Sequence, residues 1–287
     1  MEEKNKNSKV IIVISVLCIC VLILGVCLKS NVFVGKKSET KSTKETKKDK
    51  NKKDNINELD INSDEVKNLF DPFKYHTSIA GDEELYRSDK VVAKDLSTNY
   101  KNRLAFAKYL SSSEYASSGA NLTGYSSNCS LSSDTLDKYF KQLFGAEESY
   151  VAQTFNSYGI GHIEMKYNQT DNTYYCDPNS GDATTNFYAS QIDKAEQTKR
   201  YINIYINVVV YNQTGANYSA YMSLEDSNAH NNPIKESTNY SDIIKYVDES
   251  KSLHDLSQYK EKASKYKMVF ENKNGNYIFN YIEKIND

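Results

Sequence analysis

Tryptophan is absent and proline nearly so: the 287 residues include no Trp, three Pro and eleven Gly. So few breakers predict long regular elements with few sharp interruptions. Cysteine is scarce as well. Cys18, Cys20 and Cys27 fall in an apolar N-terminal run, where they serve as small apolar residues, which leaves only Cys129 and Cys176. Two cysteines far apart make no zinc site, and no C-x-x-C occurs. The four histidines, His76, His162, His230 and His254, include no pair at metal-ligand spacing and no H-E-x-x-H. G-x-G-x-x-G, P-loop and G-x-S-x-G patterns are missing too. We therefore expect no metal and no cofactor. Ser257-x-x-Lys260 and Ser264-x-x-Lys267 fit S-x-x-K, but a chain this rich in Ser and Lys produces that spacing by chance. On a strand, Ser264 and Lys267 would also point to opposite faces.

Net positive charge is confined to the N-terminal part of the chain. Residues 1–9 carry a net +1 and residues 29–53, with ten Lys and three acids, a net +7. The total is −2, so residues 54–287 carry −10. A domain this acidic is a poor partner for nucleic acid, whose phosphates need a basic face.

Long hydrophobic runs are also absent, with one exception. Val10–Leu28 holds no charge, no Pro, one Gly and only Ser15 as a hydroxyl. Its length as a helix is about 28 Å, close to a hydrocarbon thickness of about 30 Å. It reads as a transmembrane helix held in the lipid bilayer. A cleaved signal has a shorter apolar region and a small-x-small site, which Gly25-Val26-Cys27 fits badly. Val26 directly before Cys27 speaks against lipidation there. Lysines flank both ends: Lys4, Lys6 and Lys9 before, Lys29, Lys36 and Lys37 after. Counted alone, the more numerous lysines after the helix would keep the C-terminal part in the cytoplasm; long domains cross membranes largely regardless of flanking charge, so it is expected to be extracytoplasmic.

The expected layout is then a tail (1–9), an anchor (10–28), a Lys-rich disordered stalk (29–60) and a soluble domain (61–287). That domain is divisible into a helical part (61–145) and a sheet part (146–287). The stalk has almost nothing to bury; about 30 flexible residues span roughly 30 Å. Its lysines suit contact with anionic lipid heads or wall polyanions.

Within the domain, a helix is expected from Ser63 to before Pro72, and another over Val92–Leu110. Residues 111–132 read as a mobile loop. The clearest helix starts at a Ser133 cap, with Leu136, Tyr139, Phe140, Leu143 and Phe144 on one face and Gly145 as its stop. Strands follow: Tyr150–Phe155, a hairpin of His162–Tyr167 with Thr173–Cys176, then a short helix over Thr184–Ala195. From Tyr201 the alternation is strict. Ile202, Ile204, Ile206, Val208 and Val210 face one way; Tyr201, Asn203, Tyr205, Asn207 and Tyr211 face the other. Tyr218–Leu224 is read as a return strand. Tyr266–Phe270 and Tyr277–Ile285 flank Asn274-Gly275, a strong hairpin signal. Helices first and antiparallel strands after give an α+β class, with helices packed on a curved antiparallel sheet.

The tail SKYKMVFENKNGNYIFNYIEKI, with the apolar anchor, the Lys-rich stalk and the helix end KQLFG, resembles a loose group of membrane-anchored extracytoplasmic proteins of low-GC Gram-positive bacteria. No activity is known for that group, so the resemblance carries no functional residues. Helices followed by a curved sheet also look like the NTF2 and cystatin architectures, a likeness of layout only.

Two constellations carry chemistry. His162, Cys176 and Arg200 follow the order of sortase-like transpeptidases, in which His, Cys and Arg act together at an amide. The TYYCDP setting and the short His–Cys gap depart from that family. The same Cys176 is expected to bridge to Cys129 if the domain is exported, and the bridge would remove the nucleophile. The second constellation is the strand face Tyr201, Asn203, Tyr205, Asn207 and Tyr211, whose Tyr and Asn suit stacking on sugars or gripping a peptide. The leading expectation is a non-enzymatic binding module whose partner is a cell-wall polymer or another envelope protein. The alternatives are a thiol enzyme of the envelope and a membrane sensor or scaffold subunit.

Overall fold

A computed structural model describes residues 56–74, 83–120, 122, 129–157, 163–178, 186–248 and 253–285. The anchor (10–28), the stalk up to residue 55 and His162 lie outside these. Among the described residues no helix is long and apolar enough to cross a membrane.

The alternation after Arg200 builds the central strand, β8 (Tyr201–Thr214). Its neighbours are β7 (Asn186–Gln197) and β13 (Ser264–Lys273). β14 (Asn276–Ile285) returns beside β13 through Asn274 and Gly275, both at positive φ, as a two-residue Asn-Gly turn requires. Short edge strands β1 (Asn57–Leu59) and β2 (Lys90–Val92) give the order β1-β7-β8-β13-β14-β2. β9 (Asn217–Tyr221) and β10 (Lys235–Ser237) extend the far end of β8. Bulges at Ile192/Lys194 and Val269/Phe270 bend the strands and strengthen their twist, curving the sheet. A second sheet holds β3 (Ser130–Ser132), β4 (Phe155–Asn156), β5 (Ile163–Asn168) and β6 (Thr173–Pro178), in the order β3-β6-β5-β4. Every pairing in both sheets is antiparallel. The fold is α+β.

Serines start the helices α1 (Asp64–Phe70), α2 (Thr98–Leu110), α3 (Ser113–Ser118) and α4 (Ser133–Phe144). Ser63, Ser97, Ser112 and Ser132 each accept a backbone N–H of the first turn, satisfying a donor that would otherwise have no partner. α4 shows the expected apolar face, and its cap is Ser132 rather than Ser133. α2 is buried nearly all round, from Tyr100 to Ala107, so it is a central helix without a solvent-facing side.

Several expectations are corrected. The helix expected from Val92 begins at Thr98; Val92 ends β2, and the extended Leu96 precedes the Ser97 cap. The loop expected over 111–132 contains α3 and β3. The strand over Tyr150–Phe155 shrinks to Phe155–Asn156. The short helix expected over Thr184–Ala195 is instead β7, which pairs with β8 along its whole length. Local propensity there yields to cross-strand pairing.

One core joins the helical and sheet parts. Val66, Leu104 and Phe140 share a buried cluster with Ile204, Met268 and Phe279, so 61–145 and 146–287 are not separate units. Phe73, just past α1, packs on Phe279 with centroids 4.8 Å apart. A second cluster covers the other face of β8. It gathers Val209 and Tyr211 with Ile243 of α6 (Tyr240–Ile243) and with Ile244, Leu256 and Tyr259 from the connections that follow. α5 (Leu224–Ala229) precedes this stretch, and β11 (Lys245–Asp248) pairs with β12 (Leu253–Asp255) within it.

These cores contain phenols that should make the domain alkali-sensitive. Burial pushes Tyr259 up to about 12, and burial with the nearby Asp89 charge does the same for Tyr266. An unfolded phenol ionises near 10, so the folded chain keeps these protons longer. Their stabilisation is complete below about pH 10 and is lost as pH rises toward 12. The melting temperature should fall across that window. Tyr259→Phe should flatten the fall; an unchanged slope would contradict the assignment.

Candidate functional site

The register of β8 sets what surrounds its tyrosines. Tyr205 lies opposite Lys267 on β13 and Lys194 on β7; Asn203 lies opposite Val269 and Glu196. The side chains interlock. The Tyr205 hydroxyl donates to Glu196 at 2.9 Å, Lys194 pairs with Glu196 at 2.8 Å, and the Lys194 ammonium sits 4.2 Å above the Tyr205 ring. Further along the same face, Lys267 and Lys90 both reach Glu283, at 2.5 and 3.2 Å, and Lys90 covers the Tyr281 ring at 3.6 Å. Lys273 and Arg200 converge on Glu271 and hold its carboxyl below the usual range. The half-buried rings of Tyr205 and Tyr281 therefore carry ammonium groups already, and a sugar stacking there must displace them.

The expected binding face is also smaller than the alternation implied. Asn207 is 4% exposed and Tyr211 7%. Tyr211 stacks on Phe187 at 5.3 Å within the second core, where burial drives its phenol far above the ordinary value. Neither residue is available at the surface. Tyr201, Asn203 and Tyr205 remain half-buried at the outer face.

The thiol constellation does not assemble. Cys176 on β6 is joined by a disulfide to Cys129, just before β3, with Cα atoms 5.3 Å apart. The Cys176 N–H also donates to the Cys129 carbonyl at 3.2 Å. A bridged sulfur has no thiolate to attack an amide. Arg200 belongs to the other sheet, in the β7–β8 turn, and is paired with Glu271. The S-x-x-K serines and lysines are similarly occupied: Ser257 on Asp255, Lys260 on Asp193, Ser264 on the Met222 carbonyl and Lys267 on Glu283.

A cleft of about 760 Å³ lies between the C-terminal end of α4 and the β13–β14 hairpin. Its walls are Lys141–Glu147 excepting Leu143, and Lys273–Ile278 excepting Gly275, with Lys108 and Lys138 completing it. The KQLFG helix end thus faces the hairpin of the chain's tail. Phe144, Tyr277 and Ile278 give it an apolar floor, and four lysines face a single acid, Glu147. Gly145 brings the walls together: a Cβ there would stand 3.2 Å from the Ile278 methyl, and its φ of +92° suits only glycine. Lys108 donates to the Asn68 carbonyl at 2.6 Å, and burial lowers its pKa, partly offset by Asp71. Lys138 pairs with Glu114, and Lys141 with Asp137 at 2.6 Å.

Sequence reasoning missed this cleft because its lysines read as solvated surface. It also missed a buried polar cluster. Glu83 (side chain 0% exposed) accepts from the Tyr100 hydroxyl and from Leu85 N–H, and lies 3.6 Å from Arg103 on α2. Among the described residues no group of three or more His, Cys, Asp or Glu is placed to hold a metal. No protein-family model, no curated protein and no solved structure matches the chain.

Proposed function

We propose that the chain is a membrane-anchored, extracytoplasmic binding module that works without catalysis and engages its partner through the α4–hairpin cleft. The carrying observation is that cleft: an apolar floor ringed by Lys108, Lys138, Lys141 and Lys273, on a domain whose residues 54–287 carry net −10. Clefts of this size are the usual form of ligand sites. A local basic site on an acidic body also concentrates anionic partners near it. The bridged Cys176 supports a binding role over a thiol enzyme.

The test is retention of the full-length, detergent-solubilised protein on purified wall material and envelope extract. Lys138→Gln with Lys273→Gln, both about half exposed, should lower retention at least tenfold while changing the melting temperature little. Wild-type protein that retains on neither material would end this reading.

A further inference from the structure

Three kinds of side chain line the cleft. Tyr277 and Ile278, both half-buried, give it apolar surface. The Gln197 side-chain amide on β7 donates to the Tyr277 hydroxyl at 2.9 Å, which restrains that ring. Gln142, Asn274 and Asn276 are exposed, and their amides make no side-chain hydrogen bond among the described residues. Each amide presents a donor group beside an acceptor, a pair that neighbouring hydroxyls can answer. The third kind is lysine: Lys108, Lys138, Lys141 and Lys273 stand against one acid, Glu147. The carboxylates that hold three of them, Glu114, Asp137 and Glu271, lie outside the lining. Lys108 donates to a neutral group, the Asn68 carbonyl. Pairs between exposed side chains hold weakly, so an incoming anion can share these lysines at little cost.

We propose that the cleft takes an anionic glycan, a chain of sugar rings bearing carboxylate or phosphate groups. This deepens the binding-module reading and rests on it. A sugar ring has apolar C–H faces and a rim of hydroxyls. A face would lie against Tyr277, the hydroxyls would meet the amides of Gln142, Asn274 and Asn276, and the charged groups would meet the lysines. Lysines alone would accept any anion, and an aromatic ring with amides alone would accept any sugar. Their combination in one cleft selects a ligand that is both. A protein partner fits the lining less well, because lysine is depleted where proteins meet.

The probes are end-labelled oligomers, titrated into the full-length protein in detergent and read by anisotropy. Two are charged glycans, an oligogalacturonate and a phosphodiester-linked mannose oligomer. The methyl ester of the oligogalacturonate keeps the rings and removes the charge; poly-glutamate and inorganic polyphosphate keep charge and remove the rings. At least one charged glycan should bind saturably, about tenfold or more tighter than the other three probes. Lys138→Gln with Lys273→Gln should weaken that binding about tenfold, and Tyr277→Ala by a similar factor. Tyr277→Phe keeps the ring and should bind nearly as wild type. Gln142→Ala with Asn276→Ala, both at exposed positions, should weaken binding without shifting the melting temperature. Poly-glutamate or polyphosphate binding as tightly as the charged glycans overturns the glycan and leaves a plain anion site. Equal binding of the methyl ester overturns the anionic part. If neither charged glycan binds although Lys138→Gln with Lys273→Gln abolishes retention on wall material, the glycan is wrong and the cleft stands. If that variant is retained as wild type is, the cleft is wrong as well.

Discussion

Glu83→Ala should destabilise the domain by about 3–5 kcal/mol, the range for breaking a buried ion pair by removing one partner. For a domain of this size that corresponds to a fall in melting temperature of roughly 10 °C. The reason lies in what the carboxylate holds. Its side chain is 0% exposed and that of Arg103 4%, and the guanidinium sits 4.5 Å above the Tyr100 ring. Taking away the carboxylate removes a near countercharge from a buried guanidinium and an acceptor from a buried phenol. Burial, and then the Glu83 charge, keep the phenols of Tyr86 and Tyr100 well above their ordinary range. Glu83→Gln keeps an acceptor for Tyr100 and drops the charge, so it should fall between wild type and alanine. Urea melts of the three proteins check this. An alanine variant as stable as wild type would mean that the cluster is solvated.

Cys129→Ala with Cys176→Ala should cost a similar amount, about 4 kcal/mol on the loop-entropy account for a sequence separation of 47. The loss should be regional as well as global. β3 is three residues long, and among the described residues its strand partner is β6 alone, to which the bridge ties it. Amide exchange at Ser130–Ser132 should therefore accelerate before exchange in β8 or β13. Reductant should reproduce the melting shift in wild type and leave the double variant unchanged. Labelling of Cys129 and Cys176 themselves by a thiol reagent in the native, unreduced protein, mapped by mass spectrometry, would refute the bridge.

Much of the fold was legible where a period was long enough to be read. α4 repeats its apolar positions at helical spacing up to Gly145, and β8 alternates from Tyr201 without interruption. Asn274-Gly275 marks the hairpin because only a positive-φ turn fits the strand twist. Other parts failed for identifiable reasons. Ala189, Gln191, Lys194, Ala195 and Glu196 suit a helix locally, and only pairing with β8 makes them β7. Val92 and Leu96 fit the helical period of α2 but precede its Ser97 cap. The segment from Met222 to Ala263 has short elements with no sustained period, and its packing covers half of the tyrosine face. Alternation placed Tyr211 opposite the isoleucines correctly; it had no means of placing Ile243, Leu256 and Tyr259 on top of it. The cleft was out of reach for a different reason. Its two walls, around Phe144 and around Tyr277, are far apart in the chain, and nothing in either stretch alone announces the other.

The bridge between Cys129 and Cys176 has one more consequence, for proteolysis. It closes a covalent ring that contains all of α4 and the second sheet's strands from β3 through most of β6. A single cut anywhere between the two cysteines opens the ring without dividing the molecule. A protease that nicks this stretch would leave α4, one wall of the cleft, tied to the body that supplies the other.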